Sequence, residues 1–337
     1  MATIKDVAKA AGVSTASVSR VLTGHPASPT MRERVLAAAE ALSFRPNAVA
    51  RSLRSTGTRT VGLVVSDLLN PFFTELARAV EDTARAAGYS VIVGNADEDP
   101  GQQDHYIRIL LERQVDGLIV VPTVETSPLL REAAANDHHL VLVDRPADDV
   151  DAPTILADAT EAIGELVDHL VTTGRRDPAI ITGPVHAGTA RLRLEVFRQA
   201  LAKHGLDLPE RRVLHGDFRS TSGYAAMEHL LADPDRPDAV FVTNGSMGLG
   251  VLEVLGRRRG TPPAIPDELA LAVFDDTPWF TLLAPSVTAI AQPTVHLGEQ
   301  ATRTLLARIR GEEPPAATPG LRCRLVLRES TNPRRKP

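Results

Sequence analysis

From Thr60 onward, short apolar runs alternate with amphipathic stretches, and this alternation admits few folds. TVGLVVS precedes a helical pattern at Phe72–Ala87, SVIVGN precedes Gln102–Gln114, DGLIVVP precedes Ser127–Asp137, and LVLVD closes the series. A second series pairs AIITGP with Arg191–His204, RVLHGD with Thr221–Ala232 and AVFVTN with Met247–Arg259, ending at LALAVFDD. Continuous apolar strands separated by helices predict parallel sheets covered on both faces. Two series predict two similar lobes. At 337 residues the chain is long enough for sizeable cores. The Pro-rich piece EEPPAATP reads as a linker near the end.

The first sixty residues follow a different pattern, with helices and no strand-like run. Thr3 and Asp6 have the spacing of a capping box, opening a helix with Ile4, Val7, Ala8 and Ala11 on one face. Gly12 supplies a tight turn, and Ser14 caps a second helix from Thr15 to about Leu22. Ser28-Pro29 opens a third, with Met31, Val35, Ala38, Ala39 and Leu42 inward. Three short helices, two of them joined by a glycine turn, describe a helix-turn-helix unit.

Charge separates the same two regions. Residues 1–60 hold nine Lys and Arg against three acids, a net +6, while the whole chain is −5, so the remainder carries −11. A basic head on an acidic body suggests a nucleic-acid module joined to something else, although a pair of solvated basic helices has the same count. MATIKDVAK lacks a signal peptide's apolar run and no segment reaches membrane-spanning length, so the expected compartment is the cytoplasm. One cysteine, Cys323, excludes an intramolecular disulfide and is expected within a strand in RCRLVLR.

In a helix-turn-helix the second helix enters the DNA major groove. Small side chains at Thr15, Ala16 and Ser17 permit close approach. Thr15 suits a hydrogen bond to a base, and both Thr15 and Ala16 offer a methyl to thymine. Arg20, one turn on, suits a guanine or a phosphate, and Ser14, Ser17 and Ser19 suit phosphates. The alternative is a small capped helix packed on its neighbour.

The runs TIKDVAKAAGVSTASVSRVLTG and RPNAVARSLRS closely resemble the N-terminal signature of the LacI/GalR family of bacterial transcriptional regulators. The resemblance continues through NPFF, GYSVIVGNAD, VDGLIV, TARLRLEVFRQAL, GDF, VFDD and AIAQP, and so covers nearly the whole chain. It implies an all-α DNA-binding domain at 1–45, a hinge at 46–59, and a two-lobed periplasmic-binding-protein-like α/β domain at 60–337. Lobe N would comprise about 60–159 and 293–320, and lobe C about 160–292 and 321–330. By the same resemblance, Thr3 joins the DNA-contacting set. The resemblance further implies that Asn47, Ala50, Leu53 and Arg54 belong to a hinge helix that folds on the operator, with Leu53 wedged into the minor groove, whereas without DNA the segment reads as a solvated linker.

In open α/β sheets ligands bind beyond the C-terminal strand ends. Asp67, Phe72 and Phe73 follow the first strand, Asp144 and Arg145 follow LVLV, and Arg193 is expected to begin the helix after AIITGP. Phe218 follows RVLHGD, Asn244 ends AVFVTN, Asp275 ends LALAVF, and Gln292 lies in a crossover. Phe72, Phe73, Asp144, Arg193, Phe218, Asn244, Asp275 and Gln292 match effector contacts of the family. Carboxylates with an arginine fork suit vicinal hydroxyls, favouring a sugar, while the aromatics leave a purine open. Asp and Asn at strand ends commonly cap helices, and Phe72 or Phe73 fits a core position; these are the structural alternatives. Gly245 and Val273 depart from the family pattern, which commonly has an acid and a glycine there.

The resemblance implies a homodimer on a pseudo-palindromic double-stranded operator, with a small sugar-like effector altering DNA affinity. No cofactor, metal or membrane partner is expected. An enzyme is disfavoured: the strand–helix turns lack G-x-G-x-x-G, no Walker or G-x-S-x-G sequence occurs, and His138-His139 lacks ligand spacing. Asp275 and Asp276 are expected to alternate faces of a strand, leaving one for a cleft. An exported solute-binding protein would not carry the helix-turn-helix. RESTNPRRKP carries no leucine heptads of the kind that pair dimers into tetramers, so a dimer is expected.

Overall fold

The computed structural model describes residues 2–22, 26–44, 57–123, 127–136, 138–147, 149–257, 264–315 and 321–332. The chain divides into two compact units, Met1–Thr58 and Arg59–Pro337.

The first unit contains α1 (Ile4–Ala11), α2 (Thr15–Leu22) and α3 (Pro29–Ala41). The capping box is present: Asp6 N–H donates to Thr3 Oγ1 at 3.4 Å, and Thr3 N–H donates to the Asp6 carboxylate at 2.8 Å. Gly12 ends α1 at φ 63°, a left-handed conformation that glycine adopts without steric cost. Ser17 N–H donates to Ser14 Oγ at 3.1 Å, and Met31 N–H to Ser28 Oγ at 3.4 Å. Val7, Val18, Val21 and Val35 form the core, with Ile4 and Met31 packed at its edge. Leu42, expected inward, is 37% exposed because α3 ends at Ala41 and the chain turns there. Arg34 from α3 donates to the carbonyls of Ala11 and Gly12, fastening the turn between α1 and α2.

The second unit holds two sheets. β1 (Thr60–Val65), β2 (Ser90–Asn95), β3 (Gly117–Val120), β4 (Leu140–Val143) and β5 (Thr154–Ile155) pair in the order β2-β1-β3-β4-β5, all parallel. Between them run α4 (Pro71–Ala86), α5 (Pro100–Glu112) and α6 (Pro128–Ala135). The other sheet contains β6 (Pro178–Thr182), β7 (Val213–His215), β8 (Ala239–Val242), β9 (Ala270–Phe274), β10 (Thr288–Ala291) and β11 (Arg324–Val326). Their order is β11-β10-β9-β8-β6-β7, parallel except for the antiparallel β10–β11 pair. Its helices are α7 (Thr160–Thr172), α8 (Gly188–Lys203), α9 (Ser220–Ala232) and α10 (Gly245–Arg257).

After β10 the chain returns to the first sheet as α11 (Thr294–Arg310), burying Leu297, Ala301 and Leu305 against Val61, Leu63 and Leu76. It then passes back to add β11. The lobes are thus joined by three segments, after β5, after β10 and before β11. Asp158 and Arg322, in two of them, form a parallel bridge.

Several sequence expectations need correction. α7, α11 and β5 had no place in the expected series, because the crossovers interrupt the strand–helix alternation. β2 is not covered on both faces: Ile92 and Val93 are 39% and 42% exposed, as an edge strand permits. α8 begins at Gly188, which puts Arg193 in its second turn rather than at its start. Cys323 lies just before β11, buried, with burial pushing its thiol up to about 12. Asp275 and Asp276 both follow the end of β9, yet still point apart. Asp275 meets Gln292, and Asp276 pairs with Arg328 at 2.8 Å.

Candidate functional site

The helix-turn-helix core buries one face of α2 and leaves the other exposed or half-exposed. Val18 and Val21 are buried, whereas Ser14, Thr15, Ala16 and Arg20 are exposed and Ser17 and Ser19 half-exposed. The candidate DNA-reading face therefore carries short hydroxyls, the methyls of Thr15 and Ala16, and one guanidinium. Ser14 and Ser17 hydroxyls lie 2.9 Å apart, and the Thr3 hydroxyl donates to Asp6 at 2.7 Å. The hinge residues Asn47, Ala50, Leu53 and Arg54 lie outside the described residues.

In the body, the candidate ligand residues gather at the C-terminal strand ends, where backbone strain also collects. Asp144, Phe218 and Asp275, just beyond β4, β7 and β9, have φ of 68°, 67° and 74°. Non-glycine residues in this region cost about 1 kcal/mol or more and concentrate at functional sites.

Asp144, Arg193 and Gln292 line one cavity of about 80 Å³ with Leu156, Leu192 and Phe274. Arg193 is 9% exposed; its Nη1 donates to the Thr243 carbonyl at 2.8 Å, and its guanidinium carbon lies 3.6 Å from the Phe274 ring centroid. Burial pushes the Asp144 carboxyl above its ordinary range, opposed by the neighbouring Arg145 and Arg193. Asp275 accepts from Gln292 Nε2 at 2.7 Å and from the Gly245 N–H at 3.2 Å. A side chain at Gly245 would place its Cβ 3.3 Å from that of Asp275, a tight approach beside the bond that the Gly245 N–H makes to this carboxylate.

A second cavity of about 520 Å³ contains Phe72, Asp275 and Gln292, and adds Glu75, Thr277 and Trp279. Trp279 is 40% exposed and lines it together with Phe72. A larger open groove of about 730 Å³ between α4 and α11 lies away from the strand ends and is not favoured for a ligand of this fold.

The remaining candidates line neither cavity. Asn244 caps α10, accepting from Met247 N–H at 2.9 Å. Phe73 is 2% exposed in the core of the first sheet, its ring edge-on to Phe72 at 5.0 Å. Asp67 is half-buried and accepts from Leu69 N–H at 2.9 Å; desolvation raises its carboxyl. Arg145 is buried and gripped by both carboxylate oxygens of Glu98, each at 2.7 Å, with its guanidinium 4.7 Å from the Phe218 ring. Glu98, Asp97 and Arg219 were not among the sequence candidates. Their partners are distant in the chain, and no spacing pattern marks them.

Two family models match the chain: the bacterial regulatory proteins of the lacI family over residues 3–47, and a periplasmic binding protein-like domain over 167–331. Catabolite control protein A of Priestia megaterium is 33% identical over 98% of this chain and 99% of its own length. The chain belongs to the LacI family of bacterial regulatory proteins. The ribose operon repressor of Escherichia coli K12 is 36% identical over 92% of this chain and 93% of its own. Among solved structures, the lac repressor dimer bound to operator and an anti-inducer superposes with a TM-score of 0.81. It is 26% identical, and the match covers 98% of this chain and 99% of that one. The complex of the regulator CelR with cellobiose gives 0.69 at 30% identity, covering 98% and 100%. Among the described residues, no helix is long and apolar enough to cross a membrane.

Proposed function

We propose that this LacI-family chain is a cytoplasmic homodimeric repressor of carbohydrate-utilisation genes, whose affinity for a pseudo-palindromic operator is set by a sugar-like ligand between its lobes. The division of labour is a DNA-binding head at 1–45, a hinge at 46–59 and a ligand-binding and dimerising body beyond. The reading is of a regulator, with no catalytic residues assigned.

The observation that carries the DNA-binding part is α2. Its inner face is held by Val18 and Val21, and its outer face offers Thr15, Ala16 and Arg20. Base edges meet such short side chains closely, Arg20 suits guanine or phosphate, and Ser14, Ser17 and Ser19 suit phosphates. Leu53 of the hinge is assigned the minor-groove wedge. A dimer is supported by the likeness to the lac repressor dimer bound to its operator.

For the ligand, Asp144, Arg193, Asp275 and Gln292 supply paired acceptors and donors beside the apolar Phe274, Leu156 and Leu192. That combination suits the hydroxyl and C–H faces of a sugar ring. A purine sandwich is less well supported, because Phe73 is core and Arg145 covers Phe218.

Selection from random duplexes, followed by anisotropy titration, tests the DNA half. An enriched inverted repeat is expected, with affinity falling on the order of a thousandfold between about 50 and about 200 mM salt if about six phosphates are contacted. No enrichment and a flat salt dependence would remove the proposal. A thermal-shift screen of sugars, sugar phosphates and purines tests the ligand half; a selective purine response would replace the sugar.

A further inference from the structure

We propose that Asp97 and Glu98 on one lobe, with Phe218 and Arg219 on the other, form a latch that holds the interlobe cleft closed. Asp97 meets Arg219 directly across the cleft, and Glu98 meets Phe218 only through Arg145, which it holds over that ring. Asp97 and Glu98 follow β2, and each has φ of 52°, so the chain makes two successive left-handed steps there. Phe218 and Arg219 lie between β7 and α9, in the other lobe.

Arg219 donates from Nη1 to the Asp97 carboxylate at 3.2 Å and from Nη2 to the Asp97 carbonyl at 2.6 Å. Glu98 meanwhile grips Arg145 with two bonds of 2.7 Å. The Arg145 guanidinium thereby lies between the Phe218 ring at 4.7 Å and the Phe73 ring at 5.9 Å. Glu98 acts as a positioning residue, fixing the plane of a cation that touches an aromatic face of the opposite lobe.

The two halves differ in environment, and that difference gives the latch its adjustability. The Arg145–Glu98 side chains are 7% and 9% exposed, so this pair is built into its own lobe and shielded from salt. The Arg219–Asp97 side chains are 44% and 46% exposed, so water and salt screen the contact that joins the lobes. An exposed pair shifts a two-state ratio by up to about fivefold, enough to bias the cleft without locking it. The proposal requires that the lobes move about their three crossing segments and is independent of which ligand the cleft takes.

The test measures lobe separation in the full-length protein without ligand. Spin labels at Arg108→Cys on α5 and Lys203→Cys on α8, both exposed positions, report the distance, with labelled chains diluted into unlabelled ones. Cys323 is buried and stays unlabelled. Arg219→Gln and Asp97→Asn should each increase the long-distance population, up to about fivefold, and about 1 M salt should move the wild type the same way. The double variant should fall short of the sum of the singles, because both variants remove the same charge pair, Asp97→Asn its carboxylate and Arg219→Gln its cation. Distance distributions unchanged from wild type in both single variants would overturn the latch, as would strictly additive effects.

Discussion

Arg193 and Phe274 are stacked, the guanidinium carbon 3.6 Å from the ring centroid, although 81 positions separate them in the chain. Phe274 ends β9 and Arg193 sits in the second turn of α8, so the contact ties a strand end to a helix of the same lobe beside the candidate cavity. One Arg193 nitrogen is held by Thr243, and the planar group is positioned before any ligand arrives.

Arg193→Ala should abolish the thermal-shift response to the sugar that the screen identifies while leaving operator affinity in its absence intact. It should also lower stability by about 1–3 kcal/mol, since the buried Thr243 carbonyl loses its donor. A normal ligand response in this variant would place the binding site elsewhere.

Two glycines of α10 should respond oppositely to alanine. A Cβ at Gly250 would stand 1.9 Å from the Ser220 carbonyl oxygen of α9, a backbone atom that cannot swing aside. Gly250→Ala should cost about 1–3 kcal/mol or more by forcing the helices apart. Gly256 has nothing within 4 Å, and Gly256→Ala should stabilise by about 0.5–1 kcal/mol. Urea unfolding of both variants measures the contrast, and equal effects would contradict the close α9–α10 approach.

Asp144 gives a pH dependence whose sign follows from its burial. Its folded carboxyl titrates above the ordinary value of 3.8, so the native state holds the proton more tightly than the unfolded chain. Its contribution therefore favours folding as pH falls through the raised value and is lost as pH rises above it. Asp144→Asn should be more stable than wild type at neutral and alkaline pH, with the gap closing as pH falls towards 3.8. Arg145 keeps Glu98 in that variant and is not orphaned. Melting temperatures across the pH range check this; a gap that widens in acid would reverse the assignment.

Cys323 should be inert in the native protein. Burial pushes its thiol up to about 12, so almost no thiolate forms at about pH 8. A disulfide reagent should react only as the protein opens, with a rate rising through the urea transition. Rapid reaction without denaturant would show that the segment before β11 is open.

The features that the sequence determined alone are those whose partners sit three or four residues apart. Thr3 with Asp6, Ser14 with Ser17 and Ser28 with Met31 are caps made within one helical turn, and the structure forms all three. Apolar strands such as LVLV and AVFV were equally legible, because a strand buried on both faces has few polar positions. The exposed face of α2 followed from the same local periodicity.

Tertiary structure alone decided which strand-end residues face a cavity and what neutralises them. Asn244 and Gln292 are both amides at strand ends, yet one caps α10 while the other reaches Asp275 beside the cavity. Glu98 finds Arg145 across 47 positions, and Asp97 finds Arg219 across 122. Such pairs depend on crossovers that bring distant loops to one edge, and nothing in the residues beside them encodes that meeting. Local hydrogen bonding and periodicity act within a turn or a strand, and so can be read along the chain. Burial and long-range charge pairing are properties of the assembled lobes, and exist only once the chain has returned three times between its two sheets.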